Sequence, residues 1–241
     1  MQNDEKAFAY NGLYRYYYLL DKAGKATETL EKALELRRQL YDNSGGLTDY
    51  EVREILNHII NTHSNKIRIH LKNKHIAEAE NEFQTVKKEY PIWDRTEYLR
   101  DAKLRILTDY GDILNSQGDF PQAHEKYREA LQYRKYLHFT DDVLAAEVYL
   151  KIAENLKGIP ARYEESIEYM IQAYVIYEKA SEYESPNVER IRKKLEERCE
   201  CLSYSNESLK QRLSAQREFL RYRHDERLDN QQDELIEYFG L

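Results

Sequence analysis

No stretch of eighteen or more apolar residues occurs in this 241-residue chain, so no transmembrane helix and no membrane partner are expected. The opening residues, MQNDEKAFAY, hold no apolar signal core, and no secretory leader is expected from them. Cysteine is scarce. Cys199 and Cys201 are the only two, and two residues apart on a helix they point about 200° away from one another, so they do not easily bridge. Two reduced thiols in a cytoplasmic protein are the expectation. Positive charge is not in excess: the net charge is −7, and nucleic acid is not an expected partner. Metal signatures are missing. His58 and His63 are five apart, His63 and His70 seven apart, and neither spacing lets one ion be shared. No P-loop, nucleophile elbow or Cys–His context is present. Metal, cofactor and catalytic residues are therefore not expected, and the chain reads as a non-enzyme.

Eight glycines and four prolines against a charged fraction of 34% suit a helix-rich chain, and 22 tyrosines supply the buriable surface that a disordered chain lacks. Apolar periodicity and caps place the helices. The first is expected over Asp4 to Lys22 and the second over Ala26 to Tyr41, followed by a break at Ser44 to Gly46. Thr48 and Glu51 form a capping-box pattern for a third. A fourth runs from Ile76 to Glu89, and Tyr90-Pro91 ends it. The fifth carries Leu99, Ala102, Ile106, Tyr110 and Ile113; the sixth opens at Asp119. The seventh runs from near Thr140 to before Gly158, the eighth over Tyr163 to Glu182, and the ninth after Ser185-Pro186. A last long helix follows Ser203 to Asn206 and reaches about Phe239. No strand pattern of useful length is present.

One phrase recurs along these helices. It is clearest in YGDILNSQGDFPQAHEKYREAL, where Gly111, Gly118, Ala123, Tyr127 and Ala130 space small and large residues along a hairpin. Ala26, Leu30 and Ala33 repeat it, as do Ala79, Phe83 and Val86, and Ser166, Met170 and Ala173. Successive copies lie 53, 44 and 43 residues apart. This resembles the tetratricopeptide-repeat family, whose usual unit is about 34 residues, and in its longer period resembles the repeats of kinesin light chain and of many bacterial regulators.

The resemblance implies an all-α fold: a right-handed superhelical solenoid of antiparallel helix pairs, with about four repeats plus a further helix over residues 1–205 and a capping or connector helix over 206–241. It implies a non-catalytic scaffold that binds a protein or peptide on the concave face lined by the first helix of each pair. Counting exposed first-helix positions gives Asn11, Arg15 and Tyr18 in the first repeat, Asn61, Arg68 and Lys72 in the second, and Arg105, Thr108, Asp112 and Asn115 in the third. Amides, cations and an aromatic can bind an extended backbone or pair with carboxylates. The family's chaperone-binding members use a Lys–Asn–Arg clamp for a carboxylate tail. Asn65, Arg68 and Arg105 offer fragments of it, but Asn11 and Arg15 stand where its first-repeat pair belongs.

The C-terminal stretch is basic from Lys210 to Arg227 and acidic from Asp229 to Glu237. It could cap the core, or pair antiparallel with its own copy in a homodimer. A regulatory or sensor segment of a larger signalling protein is the alternative to a stand-alone scaffold.

Overall fold

The structure is a computed structural model that describes residues 2–90, 100–136, 142–157, 159–180, 186–201 and 207–218. Among them are ten α-helices and no strand. The chain divides into two compact units, Met1–His138 and Phe139–Leu241.

The first unit holds α1 (Gln2–Leu19), α2 (Ala23–Asp42), α3 (Asp49–Lys72), α4 (Ile76–Glu89), α5 (Arg100–Ser116) and α6 (Phe120–Tyr136), with a 3-10 turn at Ser44–Gly46. Consecutive helices pair antiparallel. Contacts climb one helix as they descend the other: Tyr17 meets Lys25 and Tyr10 meets Lys32, while Lys126 lies over Tyr110 and Lys103 over Tyr133.

The three hairpins turn in the same way. Asp21, Lys74 and Gly118 all have left-handed backbones, with φ of 59°, 62° and 84°, and each sits two residues before its second helix. The hydrogen bonds match one for one. The N–H of the left-handed residue donates to the carbonyl three back, and the next N–H donates five back: Lys22 to Tyr17, His75 to His70, Asp119 to Leu114. This is the helix-ending motif that spares the last carbonyls from being orphaned. It also stops α1 at Leu19, short of the expected Lys22. The turns lie at the 53- and 44-residue separations of the sequence phrase. Ala26, Ala79 and Ala123, each five residues after its turn, are fully buried.

Crossing distance explains those small residues. A Cβ built on Gly111 would press on Cε1 of Tyr127, 2.7 Å from its Cδ1 and 3.0 Å from its Cζ. Tyr127 is itself 1% exposed. Between hairpins, Phe83 of α4 stacks flat on Tyr110 of α5, with centroids 4.1 Å apart. The expected capping box closes α3: the Thr48 N–H donates to Glu51 Oε2 at 2.8 Å, and the Glu51 N–H returns to Thr48 Oγ1 at 3.3 Å. At α6, Asp119 Oδ1 accepts from the Gln122 N–H.

The second unit holds α7 (Val143–Lys157), a 3-10 turn at Pro160–Arg162, α8 (Tyr163–Ala180), α9 (Pro186–Cys201) and a helical stretch over 207–218. Ala146 and Ala173 pack with Tyr174, Val175 and Ile191. Leu209 is buried against Ile167, Met170, Leu195 and Cys199. Arg217 pairs with Glu178 at 2.6 Å, and Arg212 pairs with Glu168. The start of the C-terminal helix thus docks on α8 and α9. The expected features at Pro91, Leu99, Thr140, Gly158, Glu182, Ser185 and residues 203–206 and 219–241 lie outside the described residues.

Candidate functional site

The first helices α1, α3 and α5 of the N-terminal unit meet around one buried carboxylate. Asp109 of α5 is fully buried. It accepts from the Ser64 hydroxyl and, at 3.0 Å, from Arg68 Nε, both on α3. Burial raises its carboxyl above the ordinary aspartate range, and the Arg68 charge and the Ser64 hydrogen bond only partly offset this. Tyr14 of α1 lies close enough to feel Arg68 and Asp109. Its phenol is pushed up to about 12 by burial and by neighbouring Tyr18. One helical turn beyond Asp109, Asp112 accepts the Tyr127 hydroxyl at 2.7 Å. That ties α5 to α6, and burial and Asp112 together push the phenol far up.

The expected contact residues divide around this centre. Asn61, Arg68 and Lys72 fall at i, i+7 and i+11 on one face of α3. Lys72 pairs with Asp21 at 2.6 Å and stands over the Tyr18 ring at 4.6 Å, so α1 and α3 share that end of the face. Arg15 is exposed, and Arg105, Asp112 and Asn115 are half-buried. Thr108 is different. It is buried and its hydroxyl donates to the Leu104 carbonyl, because α5 packs on α3 at one side and α6 at the other, leaving it little free surface. Asn11 turns inward. With its amide oriented as the neighbouring donors require, its oxygen accepts from the Arg37 guanidinium at 2.9 and 3.1 Å.

Arg37 was not among the expected residues. It is 1% exposed, donates to Thr62 Oγ1 at 2.7 Å and lies 5.7 Å from the Phe8 ring. Its signal was present: Ala26, Leu30, Ala33, Leu34 and Arg37 make one helical stripe, so a cation occupies a core position. Asp109 likewise continues the stripe Ala102, Ile106, Ile113. A half-buried carboxylate joins α3 to α4. Glu82 takes His63 Nδ1 at 2.7 Å and Lys66 Nζ at 2.5 Å. Burial would raise Glu82, but these two partners outweigh it and hold the carboxyl at about 2.

Two acceptors stand out because no protein donor reaches them. Asn57 Oδ1 and Asn61 Oδ1 are buried, one helical turn apart on α3, and neither accepts a hydrogen bond. Asn57, Asn61, Ser64 and Arg68 thus form a polar row on α3. Among the described residues no group of three His, Cys, Asp or Glu is placed to hold a metal ion, and no helix is long and apolar enough to cross a membrane.

No protein-family model and no curated protein matches this chain.

Proposed function

We propose that this protein is a non-catalytic, cytoplasmic interaction scaffold: a tetratricopeptide-like α-solenoid that holds an extended segment of a protein partner on the α1–α3–α5 face. The observation that carries the reading is the pair of orphaned acceptors at Asn57 and Asn61. A buried acceptor left without a donor costs roughly 1–3 kcal/mol. Both oxygens are shielded in the free chain, but the two side chains are only half-buried. Swinging them outward, on a row that continues to Arg68, would present them to the backbone N–H groups of a bound peptide and relieve that cost. Rigid first helices support the same reading, since Asp109 ties α5 to α3 and Lys72 ties α3 to the α1 turn.

The test is affinity capture from native lysate followed by mass spectrometry, comparing the wild-type chain with Asn61→Ala/Arg105→Ala. These two side chains, unlike Arg68, do not neutralise a buried charge. The scaffold reading expects a protein retained by the wild type and lost from the variant, with melting temperatures within about 2 °C. Equal retention by both would reject this face as the binding surface.

A further inference from the structure

The α1–α3–α5 face gathers cations on a chain whose net charge is −7. Arg15 and Lys72 are exposed, and Arg68 and Arg105 are half-buried. Asp112, the one carboxylate among the expected contact residues, is engaged by the Tyr127 hydroxyl. Lys72 already has Asp21. Arg68 differs, because its counter-ion lies beneath the face and not on it. The Arg68 side chain keeps 32% of its surface exposed, while the Asp109 side chain it holds keeps none. A guanidinium carries five N–H donors in a fork, so its exposed part can address a second carboxylate.

Asp109 must respond to such a visitor. From α3 it receives the Arg68 charge and the Ser64 hydroxyl. On α5 itself, Asp112 is a like charge. From α1 and α6 come the phenols of Tyr14 and Tyr127, and α4 meets α5 through the Phe83 ring on Tyr110. Arg68 is thus the cation that keeps this buried carboxylate charged, and burial already lifts Asp109 above the ordinary aspartate range.

We propose, resting on the reading of this face as the peptide-binding surface, that the bound segment is acidic and that its carboxylate, on reaching Arg68, drives a proton from solvent onto Asp109. The incoming carboxylate either takes the guanidinium or shares it. Both leave Asp109 with less compensating charge and a like charge nearby, which disfavours its ionised form. Protonated Asp109 keeps its bond with Ser64, since a hydroxyl accepts as well as donates. The bound state then holds one more proton than the free state. Affinity therefore rises as pH falls between the free and bound titration points of Asp109, by up to about tenfold per pH unit.

The probe is a terminally blocked decapeptide alternating Glu and Ser. It is titrated calorimetrically into the full chain, in two buffers of different ionisation enthalpy, from about pH 5.5 to 8. The wild-type chain is expected to take up close to one proton at the maximum. Asp109→Asn should abolish that uptake and bind the peptide about tenfold more tightly than wild type at about pH 8, as a one-unit shift of Asp109 requires. Proton uptake is read on the wild-type chain alone, so it decides the matter even if Asp109→Asn folds poorly. Binding that Asn61→Ala/Arg105→Ala abolishes, yet with no proton taken up, would overturn the proposal and leave the face as the binding surface. Binding indifferent to that pair would overturn both. A chain that ignores the acidic peptide also overturns the proposal, and capture of a protein sensitive to Asn61→Ala/Arg105→Ala would then still uphold the face.

Discussion

Replacing Gly111 with alanine sets two effects against each other. In a helix interior alanine is favoured over glycine by about 0.8–1 kcal/mol, so an exposed site would gain stability. At Gly111 the added methyl meets the Tyr127 ring, 2.7 Å from Cδ1 and 3.0 Å from Cζ. The ring has no room to retreat, since Tyr127 is 1% exposed and its hydroxyl is held by Asp112 at 2.7 Å. Overpacking of this kind costs about 1–3 kcal/mol. Freeing the ring by breaking a hydrogen bond to a carboxylate costs about 1.5–3 kcal/mol. Steric cost therefore wins, with a net loss of about 0.5–2 kcal/mol. Urea unfolding followed by circular dichroism reads it as a lower midpoint at unchanged slope. The decisive control is Tyr127→Leu. Without the ring, Gly111→Ala becomes neutral or stabilising by up to about 1 kcal/mol. A Gly111→Ala protein as stable as the wild type, or the same loss in the Tyr127→Leu background, would refute the close crossing of α5 and α6.

Lys74→Gly relieves the left-handed backbone of the α3–α4 turn and is expected to stabilise the chain by about 1 kcal/mol, read as a raised unfolding midpoint. Arg68→Ala strips the buried Asp109 of its cation and costs about 2–3 kcal/mol, most of which Arg68→Ala/Asp109→Asn recovers, as thermal melts of both variants would register. Glu82 titrates near 2 in the folded chain, below its unfolded value. The stability it contributes, on the order of 2 kcal/mol after solvent screening, is therefore intact above about pH 5 and lost as pH falls towards 2. Glu82→Gln should flatten that part of a stability–pH curve. Asp109 is shifted up, so its contribution has the opposite sign and declines as pH rises through its folded value. Leu209→Ala should cost about 2–4 kcal/mol in the second unit if the start of the C-terminal helix belongs to its core, measured by denaturant melts.

Small residues made the hairpins legible. Ala26, Ala79 and Ala123 follow from local spacing alone, and the structure gives them equivalent burial five residues after equivalent turns. The polar centre was harder to read. Arg37, Glu82 and Asp109 sit in apolar stripes, where a charge reads as an outward residue. Their partners are far along the chain: Thr62 for Arg37, His63 for Glu82, and Ser64 and Arg68 for Asp109. Periodicity reports which face a residue lies on and not what waits opposite. Thr108 shows the same limit from the other side. It falls at an outward position on a helix with one neighbour, but α5 has neighbours on two sides. Asn61 was read from spacing, while Asn57, one turn earlier on the same face, was missed because the count around Ile67, aligned with Gly111, stopped at Asn61.

The central claim is that a partner polypeptide lies along the α1–α3–α5 face. Photocrosslinking tests it most directly, with a photoreactive side chain placed in turn at Asn61, Arg105, Gln39 and Glu125 of the full chain in native lysate. The account predicts adducts to one and the same partner from positions 61 and 105, and none from the outward positions 39 of α2 and 125 of α6. Adducts confined to positions 39 and 125, or different partners at 61 and 105, would contradict it.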